Sequence, residues 1–262
     1  MRLQVFLYLM LPMLAFSQNT ASRQLTTFTL ESQQLSGQRK IWIWLPKDYA
    51  STKKRYPVLY MHDAQTLFDA KTSFAGEWNV DETLEQLDAQ VIVVGIEHGN
   101  DRRIDELTPF AHEKYNGGKA DAYLDFLVSS LKPEIDKLYR TKTNAKNTAI
   151  MGSSLGGLVS FYAVLKYPGV FGKAGVFSPS FWFSEEIYAY ADKSGSLKGK
   201  RFFFLCGNRE DDKMVPDMLR MVSKISDKGA ETTEKIIDAG EHNESLWRSN
   251  FAKAFKWLFV ND

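Results

Sequence analysis

From Pro57 onward, short and nearly continuous apolar runs alternate with longer stretches in which apolar residues recur at helical spacing. The runs "PVLYMHD", "VIVVGIE", "NTAIMGS", "AGVFSPS" and "RFFFLCG" are rich in β-branched or aromatic residues, the pattern of strands covered on both faces. Helical periodicity predicts helices over 80–87, 120–138, 155–166, 214–228 and 246–259. Ahead of them, "QLTTFTLES" and "RKIWIWLP" alternate polar and apolar residues, as half-buried antiparallel strands do. Strand alternating with helix predicts an α/β fold, with a mostly parallel sheet, helices on both faces and an antiparallel N-terminal strand pair. In such a sheet ligands bind beyond the carboxyl ends of the strands, so the residues following each apolar run are the places to look for chemistry.

The opening "MRLQVFLYLMLPMLAFSQ" departs from this pattern: Arg2 precedes about twelve apolar residues, then Ala15-Phe16-Ser17. This reads as a secretory signal over residues 1–17, leaving 18–262 as a single domain and an exported product, periplasmic or secreted. The apolar stretch is shorter than the ~20 residues that cross a bilayer, so no membrane span is expected once the signal is cleaved. Cys206 is the only cysteine, which excludes an internal disulfide and a cysteine zinc site. Lys and Arg number 33 against 32 Asp and Glu, with no basic block, so neither nucleic acid nor an anionic membrane surface is an indicated partner.

The strand "NTAIM" runs into Gly152-Ser153-Ser154-Leu155-Gly156, a G-x-S-x-G pattern, and then into a helical pattern that can end before Pro168. Flanking glycines let a sharp strand-to-helix turn close without side-chain collision, holding Ser154 exposed at the start of a helix. The unpaired N–H groups there suit a developing oxyanion, and the N–H of Leu155 is the first candidate donor. Ser154 is therefore the candidate nucleophile.

A serine hydroxyl needs a base. The chain holds four histidines, His62, His98, His112 and His242, and in this strand-turn-helix chemistry the order is serine, acid, histidine, which leaves His242. It lies in the loop "DAGEHNESLW" ahead of the last helix. The acid that orients it should follow a strand between the two, and "RFFFLCGNREDD" offers Glu210, Asp211 and Asp212. The sequence pattern alone does not choose among these; Asp211 or Asp212 also suits the cap of a helix starting near Lys213.

These motifs, together with "VLYMHDAQTLFD", "GEWNVDETL", "VIVVGIEHGNDRRIDELTPF" and "MGSSLGGLVSFYAVLKYPGVFGKAGVFSPSFW", resemble the esterase D or enterochelin-esterase-like branch of the α/β hydrolases, and within it the hydrolases grouped with the bacillibactin-type esterases. The resemblance covers nearly the whole chain after the leader and implies the α/β-hydrolase fold and a serine carboxylic-ester hydrolase working through an acyl-enzyme without cofactor or metal. In that family the acid stands three residues after a glycine closing the strand, which implies Glu210 after Gly207. It also implies a second oxyanion donor, the backbone N–H of Gln65. Here Asp63-Ala64 replaces the family's usual Asp-Gly.

Phe181, Trp182 and Phe183 follow a strand end and are expected to wall an apolar acyl or aryl pocket; Arg103, with Arg102, is placed to meet an anionic group or to pair with Asp105 or Glu106. His62 is expected to be structural or pocket-lining. The substrate expected is a small-molecule or glycan-linked ester with a short acyl or aryl group. A siderophore trilactone, or acyl transfer to an alcohol through the same triad, is the alternative.

Overall fold

A computed structural model describes residues 19–260, and the expected signal over 1–17 lies outside them. In chain order the elements are β1 (Leu25–Ser32), β2 (Gly37–Trp44), β3 (Val58–His62), α1 (Val80–Gln86), β4 (Ile92–Ile96) and α2 (Arg103–Leu107). A small hairpin, β5 (Ala111–His112) with β6 (Asn116–Gly117), precedes α3 (Ala120–Asp125), α4 (Lys132–Leu138), β7 (Thr148–Ser153) and α5 (Leu155–Lys166). The remainder is β8 (Lys173–Phe177), α6 (Glu186–Lys193), β9 (Arg201–Gly207), α7 (Met214–Ser226), β10 (Glu231–Ile237) and α8 (Glu244–Phe259).

Eight strands form one sheet in the order β1-β2-β4-β3-β7-β8-β9-β10. The β1–β2 and β2–β4 pairs are antiparallel, and the five pairs from β4 through β3 to β10 are parallel. The apolar runs are continuous because successive residues feed two cores. Tyr60, Ile150, Phe202 and Phe204 enter the core under α3 to α7, whereas Leu59, Met61, Met151, Phe203 and Leu205 enter the one under α1 and α8. This is the α/β-hydrolase architecture.

β2 is more buried than alternation suggests. Ile41 and Ile43 face one core and Trp42 and Trp44 the other, because β1 and β4 flank β2 and leave it no free edge. The single helix expected over 120–138 is α3 and α4 joined by a π-helical stretch, Phe126–Leu131. The widening lies ahead of Pro133, which has no N–H to donate to the carbonyl of Ser129. α2, α6 and the β5–β6 hairpin were not expected. α2 and the hairpin are too short to show a period, and α6 carries only three buried residues, Ile187, Tyr188 and Ala191.

Candidate active site

Ser154 occupies the turn between β7 and α5 with φ 57° and ψ −122°, a backbone conformation that costs an L-residue ~1–3 kcal/mol. Two close approaches hold it there. A Cβ on Gly152 would lie 2.9 Å from the carbonyl carbon of Gly156, and one on Gly157 would lie 2.7 Å from the carbonyl oxygen of Phe177, so neither position accepts a side chain. The turn is also tied to the exit of β8: the Ser154 N–H donates to Phe177 O at 2.9 Å, and the Ser180 N–H donates to Ser154 O at 3.2 Å. Leu155 is the first residue of α5, and its N–H is one of the donors that a helix start leaves without an intrahelical acceptor.

Across the cavity, His242 sits one residue before Asn243, whose side chain caps α8 by accepting from the Leu246 N–H at 3.1 Å. His242 Nδ1 lies 2.6 Å from Glu210 Oε2, and the Glu210 side chain is fully buried. Its other oxygen, Oε1, accepts from the Gly207 N–H at 2.6 Å and from Ser178 Oγ at 2.7 Å. Ser178 Oγ in turn accepts from Trp247 Nε1 at 2.8 Å. Gly207 makes the His242–Glu210 pair possible: a Cβ there would fall 2.1 Å from Gly240 O, so only glycine lets the loops after β9 and β10 press together. The Arg209 N–H donates to Gly240 O at 2.9 Å across the same contact. Asp211 accepts from the N–H groups of Lys213 and Met214 and so caps the start of α7; it makes no contact with His242.

Ser154 and His242 line the same cavity, of about 610 Å³. In this structure the Ser154 hydroxyl pairs with Ser180 Oγ at 3.2 Å. Gln65 also lines the cavity, in a short 3-10 turn, Ala64–Thr66. The Thr66 N–H takes Asp63 O as its acceptor at 3.0 Å, which leaves the Gln65 N–H at the open start of the turn. The turn manages without the family's glycine because the positive φ, 57°, falls on Asp63, while Ala64 takes ordinary 3-10 geometry. The Gln65 side chain is held at both ends by the backbone of His98, accepting from its N–H at 3.2 Å and donating to its carbonyl at 3.4 Å.

Two expected substrate contacts, Phe181 and Trp182, are corrected, while the third, Arg103, lies on the cavity with a partner other than those expected. Phe181 is fully buried and packs edge-on against Phe161, so it belongs to the core under α5. Trp182 is half-exposed but faces the β5–β6 hairpin, packing on His112, Tyr115 and Phe183 away from the cavity lining. Arg103 does reach the cavity, yet its guanidinium is committed to both oxygens of Asp63, at 2.7 and 2.8 Å, and not to Asp105 or Glu106. This pair holds the Asp63 carboxyl below its ordinary range against the opposing effect of burial. Arg102 instead leans on Glu106 at 3.7 Å and donates to Leu35 O.

The aromatic wall is built from Phe74, Trp78 and Trp247. Trp78 stacks on Phe177 with ring centres 5.5 Å apart. His62 also lines the cavity; burial pushes its imidazole down to about 4, and its Nδ1 meets Tyr123 Oη at 2.8 Å. Ser178 and Ser180 were not expected. Both lie just beyond an apolar run, the position that the strand-end rule marks for inspection.

The Esterase family model matches residues 32–258. The chain is 26% identical over 247 residues to the uncharacterized protein YbbA of Bacillus subtilis, covering 87% of this chain and 95% of that one. It is 25% identical over 229 residues to an endo-1,4-beta-xylanase/feruloyl esterase of Xylanibacter ruminicola, covering 83% of this chain and 29% of that one. In structure it is similar to an IroE-like serine hydrolase from Shewanella oneidensis, with TM-score 0.74, 23% identity, and coverage of 90% of this chain and 80% of that one. With the model spanning nearly all of the described residues, the chain belongs to the Esterase family and is an esterase of the α/β-hydrolase fold.

Proposed function

We propose that the protein is an exported serine esterase that hydrolyses short acyl or aryl esters, carbohydrate-linked ones included, through an acyl-enzyme. The observation that carries this reading is the buried Glu210 carboxylate held 2.6 Å from His242 Nδ1, on a cavity shared with the strained Ser154. A carboxylate at this distance supports the tautomer with the proton on Nδ1, and in this reading Nε2 acts as the base. On substrate binding the Ser154 hydroxyl leaves Ser180, gives its proton to His242 and attacks the ester carbonyl. The N–H groups of Leu155 and Gln65 receive the oxyanion. His242 then protonates the departing alcohol and activates the water that releases the acid.

The cavity charges favour a neutral ester. Among the lining residues the one guanidinium is neutralised by Asp63, and Glu244 adds a further carboxyl, so a polyanionic trilactone would meet no unpaired cation. Phe74, Trp78 and Trp247 offer flat apolar surface to an acyl or aryl group.

The test has two parts. A fluorophosphonate probe should label the parent and not Ser154→Ala; labelling that persists in the variant would overturn the serine mechanism. Catalytic efficiency should be greater on acetylated or feruloylated oligosaccharides than on a catecholate trilactone, and a hundredfold preference for the trilactone would overturn the substrate class.

A further inference from the structure

Outside the cavity, three carboxylates converge where the loop before α1 meets the first turn of that helix. Glu77, Asp81 and Glu82 each bring an oxygen within 4.8 Å of the other two. Glu77 is 6% exposed and Asp81 is fully buried. Each of these two has one oxygen held by a neutral donor from the N-terminal segment: Thr20 Oγ1 donates to Glu77 Oε2 at 2.8 Å, and the Ser22 N–H donates to Asp81 Oδ2 at 2.8 Å. Their other oxygens, Glu77 Oε1 and Asp81 Oδ1, are sealed from solvent and accept no hydrogen bond, and neither does the sealed Glu82 Oε2.

Buried carboxylates without partners are costly, by several kcal/mol each, unless a positive charge joins them. A proton is one remedy, and burial with Glu82 alongside pushes the Asp81 carboxyl up to about 8. One proton shared between Asp81 and Glu82 neutralises one carboxyl and joins two of the three sealed oxygens, leaving the Glu77 oxygen unmet and two carboxylates charged. A divalent cation meets all of them together. Three protein carboxylate oxygens are a hard donor set, and a cage of this kind suits calcium, which tolerates flexible coordination, better than magnesium, which demands near-ideal octahedral geometry and keeps several of its waters. The held outer oxygens correspond to the second contacts that orient metal-binding carboxylates.

We propose that Glu77, Asp81 and Glu82 form a structural site for a hard divalent cation of calcium size, with water completing its coordination. None of the three lines the catalytic cavity, and the site takes no part in ester hydrolysis. It joins the 20–22 segment, the loop ending at Asn79 and α1. The cation would thereby brace Trp78, which follows Glu77 and packs on Phe177 and Trp247 with ring centres 5.5 and 5.7 Å away.

The experiment uses the purified protein, stripped with chelator and dialysed. Calcium chloride at millimolar concentration should raise the melting temperature by several degrees and titrate calorimetrically to one site per chain, with magnesium weaker. Asp81→Asn and Glu77→Gln should abolish the shift. Each metal-free variant should remain folded, so that a lost shift reports a lost site. The proposal is overturned if calcium, manganese and magnesium all leave the melting temperature unchanged, or if the calcium shift survives in both variants. It is equally overturned if lowering the pH to 6 stabilises the metal-free parent while calcium does nothing, which would make the proton the sole occupant. Fluorophosphonate labelling of Ser154 in the same samples reports the esterase mechanism separately.

Discussion

Ser178 is the most informative side chain to remove, because it touches the acid of the proposed triad and not the substrate. Its hydroxyl donates to Glu210 Oε1 at 2.7 Å and accepts from Trp247 Nε1 at 2.8 Å, so Ser178→Ala takes one of two donors from that carboxylate oxygen and leaves a buried indole N–H unpaired. A hydrogen bond to a charged group contributes ~1.5–3 kcal/mol and an orphaned buried donor costs ~1–3 kcal/mol, so unfolding free energy should fall by roughly 3 kcal/mol, allowing for overlap between the two. The Gly207 N–H remains at 2.6 Å, so Glu210 stays in place but swings more freely. About 1.4 kcal/mol of lost orientation corresponds to about a tenfold lower kcat. The loss should fall on kcat with KM near the parental value, a split that loss of stability alone does not produce. Ser178 also holds φ 42°, so Ser178→Gly relieves backbone strain and serves as the control. It should be more stable than Ser178→Ala yet equally slow. Steady-state kinetics on an activated ester, with urea unfolding of all three proteins, provides the measurement. A folded Ser178→Ala with the parental kcat would refute the coupling between Ser178 and the triad.

Ser154→Ala and His242→Ala should each lower turnover at least about a thousandfold, with the double variant little worse than either single one, as for residues acting as a unit; additive losses in the same assay would contradict the triad. Glu210→Gln should cost kcat about a thousandfold or more, while Asp211→Asn, at the cap of α7, should change melting temperature slightly and kcat hardly at all. Phe181→Ala should destabilise by about 3–5 kcal/mol through a core cavity, whereas Trp182→Ala should leave stability and the KM for a small acetyl ester near parental values, as measured by denaturation and initial rates. His62 is neutral in the fold with its ionisation pushed down to about 4, so the unfolded chain takes up a proton between about 6.5 and 4 that the fold refuses; its contribution is complete above that window and is lost as pH falls through it, by about 3 kcal/mol in all. His62→Gln should flatten this acid limb in urea unfolding at pH 4.5 and 7.5, and an unchanged limb would show that other groups carry it.

How legible each part of the molecule was depended on the range of the contacts that decide it. β7, the turn at Ser154 and α5 are adjacent in sequence, and the motif glycine at 152 announces one of the close approaches that hold the turn, whereas the other falls at Gly157, just outside the motif, and not at Gly156. The choice among Glu210, Asp211 and Asp212 was not local. It turns on Gly207 meeting Gly240 and on Ser178 reaching Glu210 across 32 residues, and no window of the sequence contains either contact. The aromatic run at 181–183 misled for a similar reason. A single 3-10 turn sends Phe181 into the core and Trp182 toward the β5–β6 hairpin, and so short a run has no period from which to read a side. The cavity wall came instead from Phe74 and Trp78, in a loop whose path is fixed by distant partners: the Trp78 N–H donates to Thr66 O, and Arg248 donates to Glu77 O. Asp81 and Glu82 illustrate the same limit most sharply. In the sequence they are ordinary acidic residues of a first helical turn, and only burial beside Glu77 makes them a charge problem that requires a counter-ion. Local pattern therefore brought Ser154 and His242 forward as candidates and the family resemblance added Glu210, while the pocket wall and the acidic cluster at Glu77 had to await the tertiary contacts that create them.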